Sequence, residues 1–466
     1  MENYDVLVIG AGLGGLACAA LLAEGGKKVL VVEKRSRVGG RSTTRFADGM
    51  TVDYGLHLMA AGGHIERLLT KIGSKLKYVY TDPLYYFYDD NKFFGIPNRL
   101  NDYQNFEYIP ATERKECIDI LETIREMPFE EIEAYDSISF KDWLTKATSS
   151  ETIRKTLTVI ADALFTQSNP RDISTGAVFR CFRQALKSDN YWNAYPEKGG
   201  FIAISQALAD VVEKSGGKVL TNTTVREISV RSGTVVQVIA ENSDSILKIK
   251  APIVVSNLPI IDIFSLVPSD IFPRWFVERI HLLERNLHQW PSATFGVSFV
   301  AEKPLHDLKS IIAIPPFSSA NKVGPSYIKW IGSMTNINPS VCPPGMHVFT
   351  YGYTIPRAFA DYLRDMGEQV FIKNTKILIE ELWQIFPEYD QSAIIRSSPG
   401  LGRATDWGMQ FPGNSWRQRV DVKAPSVDGL YFVGDMVLGW GQATDLATHS
   451  GILCAERILK TGKSEC

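Results

Sequence analysis

One run near the start limits the possible folds more than any other feature: YDVLVIGAGLGGLACAALLAEGGKKVLVVEK, from Tyr4 to Lys34. An apolar stretch of strand length meets a glycine turn. A small-residue helical stretch follows and stops at Gly25-Gly26, and the next apolar stretch, KVLVVE, ends on Glu33. Gly10, Gly12 and Gly15, with Leu13 and Gly14 between them, have the G-x-G-x-x-G spacing. In a strand–turn–helix, Gly10 permits the tight turn, Gly12 lets the backbone approach a pyrophosphate, and Gly15 lets the helix pack close to the sheet. The free amides at the helix start then face phosphate oxygens, helped by the helix dipole. Glu33, twenty-three residues after Gly10, comes within reach of ribose hydroxyls, and Lys34 follows it. The combination predicts a dinucleotide site.

A chain of 466 residues is too long for one core and should form two or three domains. Charged residues make up 22% and the net charge is -2, so no basic face is implied and nucleic acid is not expected as a partner. Asp5 and the glycine turn interrupt the order of a secretory signal. The run from Val6 to Ala23 carries four glycines, which argue against a membrane span. Six cysteines (Cys18, Cys117, Cys181, Cys342, Cys454, Cys466) form no CxxC. The expectation is a reducing, cytoplasmic setting without a disulfide framework, a zinc site or a redox-active disulfide.

Two textures alternate along the chain. After the opening unit comes an aromatic and helical block: YVYTDPLYYFYDDNKFF, ERKECIDILETIREM and SSETIRKTLTVIADALF. Sheet-type sequence returns after EKGGFIAISQALADVVEKSGGKVLTNTTVREISV. A second mixed block carries the strands SATFGVSFV and MHVFTYGYTI and a long helical stretch from Ala358 to Phe386, before the closing strand, loop and helix. The expected organisation is two intertwined, discontinuous domains. One takes 1–75, 195–272 and 416–466, and the other takes 76–194 and 273–415.

Beyond Glu33 the run KRSRVGGRS places Gly39, Gly40 and Arg41 in a second turn. Its glycines permit another close backbone approach, and Arg41 supplies a cation. Here the chain resembles the flavin-dependent amine oxidase and phytoene desaturase superfamily, whose first motif ends in this GGR. The segment from Pro196 to Ile228 resembles the central segment of that family, and GLYFVGD with its glycine loop and helix resembles the closing motif. The resemblance implies an α/β fold: a Rossmann-type FAD-binding domain with an intertwined, discontinuous α+β substrate domain. It implies FAD, with Val225 against the adenine and Gly434 and Asp435 at the diphosphate and ribitol. Gly441, Gln442 and Ala443 would lie near the flavin pyrimidine, and Gly55, Leu56 and His57 beside the isoalloxazine. A helix starting near Ala443 would direct its positive end toward charge developing on a reduced flavin. With no cysteine between Ile395 and Gly434, the FAD is expected to be non-covalent.

Two roles are open for His57: a hydrogen-bond donor or proton shuttle, or packing. Trp440, inside the flavin loop, is either an active-site wall or core. His64 lacks a metal-ligand spacing, and His449 reads as structural. Amine oxidases of the superfamily carry a lysine in the mid-chain strand that crosses the flavin. The comparable stretch, HQWPSATFGVSFVAEKPL, has none before Lys303. The later SMTNINPSVCPPGMHVFTYGYTIP resembles the phytoene desaturase and carotenoid isomerase branch. The expectation is an oxidoreductase acting on a carbon–carbon bond of an apolar, isoprenoid- or polyene-like small molecule. The alternatives are an amine or porphyrinogen oxidase, or a non-catalytic prenyl-binding escort protein of the same fold. No second glycine fingerprint follows a strand, so no NAD(P) domain is expected. Peripheral membrane contact stays open, and the oligomeric state is not legible.

Overall fold

The structure is a computed structural model that describes residues 4–54, 57–165, 173–188, 192–289, 291–318, 320, 327–403 and 410–461. The opening run folds as strand β1 (Val6–Ile9), helix α1 (Leu13–Glu24) and strand β2 (Val29–Val32). Helix α2 (His64–Lys71) follows. Helix α3 (Ile202–Lys214) leads into β3 (Lys218–Leu220), then come β4 (Ile253–Ser256) and β5 (Leu430–Phe432), and α4 (Ala443–Thr461) closes the fold. The five strands form one sheet in the order β3-β2-β1-β4-β5, and every pairing is parallel. β1, β2 and β5 are buried throughout, and β1 and β2 read as unbroken Val, Leu and Ile, as expected of a parallel sheet covered on both faces. From Leu13 to Ala23, α1 is buried along its whole length, which explains why it carries no polar stripe. Its small residues admit α4 closely: a Cβ on Gly451 would lie 2.3 Å from the carbonyl oxygen of Gly14.

A second sheet has seven strands, in the order Ile394–Arg403, Pro291–Ala301, His347–Pro356, Lys329–Ser333, Ile312–Ile314, Tyr86–Asp89, Lys92–Gly95. Its neighbours pair antiparallel, except that Ile312–Ile314 runs parallel to Tyr86–Asp89. Strand alternation gives it two apolar faces. Phe87, Ala313 and Trp330 join a core with the helices Arg114–Glu126, Glu151–Phe165 and Thr175–Lys187. Tyr88, Phe295, Ile331, Tyr351 and Tyr353 join another core with the helix Glu368–Ile385. The helical stretch expected from Ala358 to Phe386 is two helices, Arg357–Asp365 and Glu368–Ile385. Gly367, at φ +83°, breaks it, because left-handed backbone cannot continue an α-helix. A three-stranded meander (Thr224–Arg231, Thr234–Glu241, Ile246–Ile249) lies between β3 and β4 in the chain. Five of the cysteines are buried and free, and no described helix is long and apolar enough to cross a membrane.

Candidate active site

The glycine motif lies at the carboxyl ends of β1 and β4, where open parallel sheets bind ligands. The amide of Gly10 donates to the carbonyl of Val32 at 2.8 Å, which turns the chain sharply out of β1. Gly12 sits at the N-cap of α1 with no side-chain cap, leaving the leading amides of the helix available to an anion. Asn257, directly after β4, lies over this turn. Its amide donates to the Ile9 carbonyl at 2.9 Å and its Nδ2 to the Gly10 carbonyl at 3.3 Å. A Cβ on Gly12 would come 2.7 Å from that Nδ2. Gly14 and Gly15 serve packing: their Cβ atoms would lie 2.9 Å from the Ala447 carbonyl oxygen and 2.3 Å from that of Gly10. Leu13 is buried beside them.

Glu33 is only 5% exposed, and both carboxylate oxygens are held by backbone. Oε2 accepts from the Ala11 amide at 2.8 Å and Oε1 from the Arg35 amide at 2.9 Å. The carboxylate is thereby fixed against the first glycine turn, while Lys34 is exposed. The second turn docks on the first. The Gly39 amide donates to the Ala11 carbonyl at 2.8 Å, and a Cβ on Gly40 (φ +58°) would meet the Gly12 Cα at 3.2 Å. Arg41 reaches across the crevice to Asp435, Nη2 to Oδ2 at 2.6 Å, and ties the GGR turn to the GD motif. Behind Asp435 lies Arg419, which is buried and donates to the Val437 carbonyl at 2.9 Å and to the Asp435 carbonyl. Burial pulls the Arg419 guanidinium down to about 10, against the pull of nearby Asp435. The amide of Gly434 donates to Ser450 Oγ at 2.7 Å. Val225 is half-buried in its strand. The preceding Thr223 and Asn222 donate to the carbonyls of Glu33 and Arg35, so this segment borders the tip of β2.

The Gly441–Ala443 loop is held from behind. Gln410 Nε2 donates to the Gly441 carbonyl at 2.9 Å, and the Asp445 amide donates to the Gln442 carbonyl at 2.8 Å. Ala443 adopts φ +43°, a left-handed conformation that costs a non-glycine residue about 1–3 kcal/mol. Asp445, 1% exposed, accepts the Ile65 amide on Oδ1 at 2.9 Å and so caps α2. Burial raises its carboxyl to about 7. Beside it the imidazoles of His64 and His449 stack at 3.9 Å with an interplanar angle of 5°. Burial lowers them to about 2 and about 4, so both are neutral. The Trp440 amide donates to His449 Nδ1 at 3.1 Å, which fixes the His449 proton on Nε2. The Trp440 ring meets His64 edge-on at 4.4 Å and Phe129 at 5.4 Å. Among the described residues no three or more His, Cys, Asp or Glu side chains group as metal ligands.

His57 stands beside the backbone of Arg41 and Tyr54, with Phe201 at 5.3 Å between ring centroids. Burial lowers its pKa although Asp53 opposes this, and Nε2 is buried with no partner among the described residues. Asp53 itself accepts from Thr44 Oγ1 at 2.5 Å, Tyr195 OH at 2.8 Å and the Phe201 amide at 3.2 Å. Gly55 and Leu56 lie outside the described residues.

Sequence reasoning missed Asn257, Asp445 and Arg419. Asn257 carried one available signal, as an amide side chain directly past the strand-like run IVVS. Asp445 and Arg419 act through contacts that no spacing reveals. The cradle fits a dinucleotide: two interlocked glycine turns, an uncapped helix start, and a fixed carboxylate one strand away.

Such a crevice, on a parallel sheet beside a large mixed sheet, defines a dinucleotide-binding protein. The family described as flavin containing amine oxidoreductase matches residues 13–459, and the chain belongs to it. It is an FAD-dependent enzyme of the carotenoid-desaturase-like branch. The chloroplastic prolycopene isomerase of Daucus carota is 24% identical over 520 residues, covering 98% of this chain and 80% of that protein. The all-trans-retinol 13,14-reductase of Danio rerio is 25% identical over 312 residues, 58% of this chain and 50% of that one. In fold, the crystal structure of an oxidoreductase from Methanosarcina mazei superposes with a TM-score of 0.73 over 97% of this chain and 99% of its own, at 21% identity.

Proposed function

We propose that this enzyme holds FAD non-covalently and acts on a carbon–carbon bond of an apolar, isoprenoid- or polyene-like substrate. One observation carries the substrate class: the sheet face that bears Trp330, toward the flavin loop, presents no buried lysine among the described residues. The buried cation of this sheet, Lys329, belongs to the opposite face, where its Nζ meets Glu381 Oε1 at 2.7 Å. Its neighbour Trp330 faces Tyr85, whose hydroxyl lies beside Gln442. Relatives whose names specify prolycopene and retinol support the same class.

FAD, when bound, supplies the two-electron chemistry. Gly10–Gly15 with Gly39 and Gly40 would hold its diphosphate, and Glu33 its adenosine ribose. Gly434 and Asp435 would lie toward the ribitol, with Val225 at the adenine. The Gln442–Ala443 helix start would offer amides to negative charge without a titrating side chain. His57 is neutral at pH 7, with an unpartnered nitrogen available for a proton or a hydrogen bond. The buried aromatic cluster around Tyr85, Trp192 and Trp330 excludes water.

The test is anaerobic bleaching of the flavin, and its reverse, with a panel of polyenes, prenyl compounds, amines and porphyrinogens. Bleaching by a simple amine, with no response to any polyene or prenyl compound, would overturn the substrate class. Acid precipitation should release the yellow colour into the supernatant, and colour kept in the pellet would refute non-covalent binding.

A further inference from the structure

Tyr85, Asn193 and Trp330 come from three separate segments and meet above the flavin loop. Tyr85 is 4% exposed and packs its ring 5.8 Å from that of Trp330, while its hydroxyl lies beside the side chains of Asn193 and Gln442. Asn193 is 1% exposed and opens the strand that pairs with Met59–Ala60, just past His57. Its Nδ2 is buried without a hydrogen-bond partner, and so is the indole nitrogen of Trp330. Buried polar groups without partners are rare, because each gives up water for nothing. Both of these are donors, and an indole N–H can only donate. Around them the core is apolar: Leu84, Phe182, Trp192 and Ile328 are buried in it, and Leu58 packs against it. An unmet indole donor and an amide donor beside the Tyr85 phenol, in a hydrophobic surround, complement an oxygen acceptor.

We propose that Asn193, Trp330 and Tyr85 form a hydrogen-bonding site for a carbonyl or hydroxyl oxygen, so that the preferred substrate is an oxygenated polyene rather than a pure hydrocarbon. This rests on the polyene reading above and narrows it. A pyrimidine carbonyl of the flavin offers the same chemistry, because Gln442 belongs to the flavin loop, and the experiment separates the two sources.

FAD-loaded enzyme is titrated in one detergent with all-trans-retinol and with squalene, an isoprenoid hydrocarbon, and binding is read from perturbation of the flavin absorbance. FAD content is measured by acid release. The wild type should bind retinol more tightly than squalene. Asn193→Leu and Trp330→Phe should each weaken retinol about tenfold, the loss expected for one hydrogen bond, and leave squalene and FAD content unchanged. Trp330→Phe keeps an aromatic ring and so serves if Asn193→Leu misfolds. A flavin source for the oxygen appears instead as altered FAD content or flavin spectrum, with both ligands weakened alike. Unchanged retinol affinity and an unchanged flavin in both variants would overturn the site while leaving the polyene reading intact. If the wild type binds neither ligand, the polyene reading falls and this proposal falls with it.

Discussion

The two halves of the molecule solve the same problem with different atoms. In the parallel-sheet half, the crevice is built from backbone. Glycine turns interlock at Gly39–Ala11 and Gly40–Gly12, and a single carboxylate, Glu33, pins them through two amides. In the mixed-sheet half, side chains do the organising, and charges lie deep in the core. Arg180 pairs bidentately with Asp136 at 2.6 and 2.9 Å, and Lys329 pairs with Glu381, with both cations at 0% side-chain exposure. A backbone-built site tolerates change almost anywhere except at its glycines and at the carboxylate that pins them. A site held by buried ions fails when either partner is lost.

The largest effect should therefore come from the second half. Arg180→Met removes a guanidinium that also lies over the rings of Phe129 and Trp416, at 5.4 and 5.8 Å. It leaves the Asp136 carboxylate buried and unpaired, which costs about 3–5 kcal/mol. Urea unfolding should show a loss of this size, and Arg180→Met combined with Asp136→Leu should recover much of it. A single variant as stable as the wild type would erase the contrast between the halves.

The matching test in the first half is Glu33→Arg. A cation would replace the acceptor that the ribose needs and that the Ala11 and Arg35 amides already use. FAD titration of the apoprotein should show binding weakened by about 1.5–3 kcal/mol, with the fold retained by circular dichroism. Undiminished affinity would show that another group holds the ribose.

The same contrast explains what could be read in the sequence. The α/β class, β1, α1, β2 and the GGR turn announce themselves because backbone geometry needs glycine at set spacings, and spacing survives in one dimension. Asn257 and Asp445 do not announce themselves. Asn257 lies 247 residues from the Gly10 carbonyl it bonds, and Asp445 lies 380 residues from the amide it caps. The His64–His449 stack escaped for the same reason, since 385 residues separate two rings that touch. The break at Gly367 was visible as a glycine, but the apolar pattern on both sides runs through it.

Asp445 gives the third test, because it joins both halves at the flavin loop. Its folded pKa of about 7 exceeds the ordinary 3.8, so it adds stability that is complete at low pH and is lost as pH rises through about 7. His64 and His449 have the opposite sign: lowered from 6.5 to about 2 and about 4, they add stability at neutral pH that is lost on acidification. The charged group facing them from α2 is Arg67, and Cys181 faces Asp445 from the helix Thr175–Lys187. Between about pH 4 and 6.5 these three groups leave the unfolded chain holding one extra proton, two from the histidines less one from Asp445. Asp445→Asn removes the opposing term. Its stability should fall more steeply on acidification, by about 1.4 kcal/mol per pH unit relative to wild type. Parallel slopes would mean that Asp445 is ionised in the folded protein and that the loop carries a buried charge after all.

The smallest effect expected is at His57, in the cofactor half beside Arg41, Tyr54 and Phe201. Burial keeps its imidazole neutral, Phe201 packs against it, and Nε2 has no partner among the described residues. A neutral ring with a free nitrogen can pass a proton or simply fill space, and stability alone does not separate these roles. The rate of flavin reduction does, measured anaerobically by stopped flow against pH. His57→Ala should retain FAD and slow reduction by no more than about tenfold, the worth of one hydrogen bond in the transition state. If His57 relays a proton, the variant also loses the pH dependence that the wild type shows below neutrality, and His57→Gln, which keeps a hydrogen-bonding group but cannot titrate, should restore rate without restoring that dependence. If His57 only packs, both variants keep the wild-type profile. The crevice would then work entirely through backbone and helix dipole on the cofactor side, and the contrast between the halves would be complete.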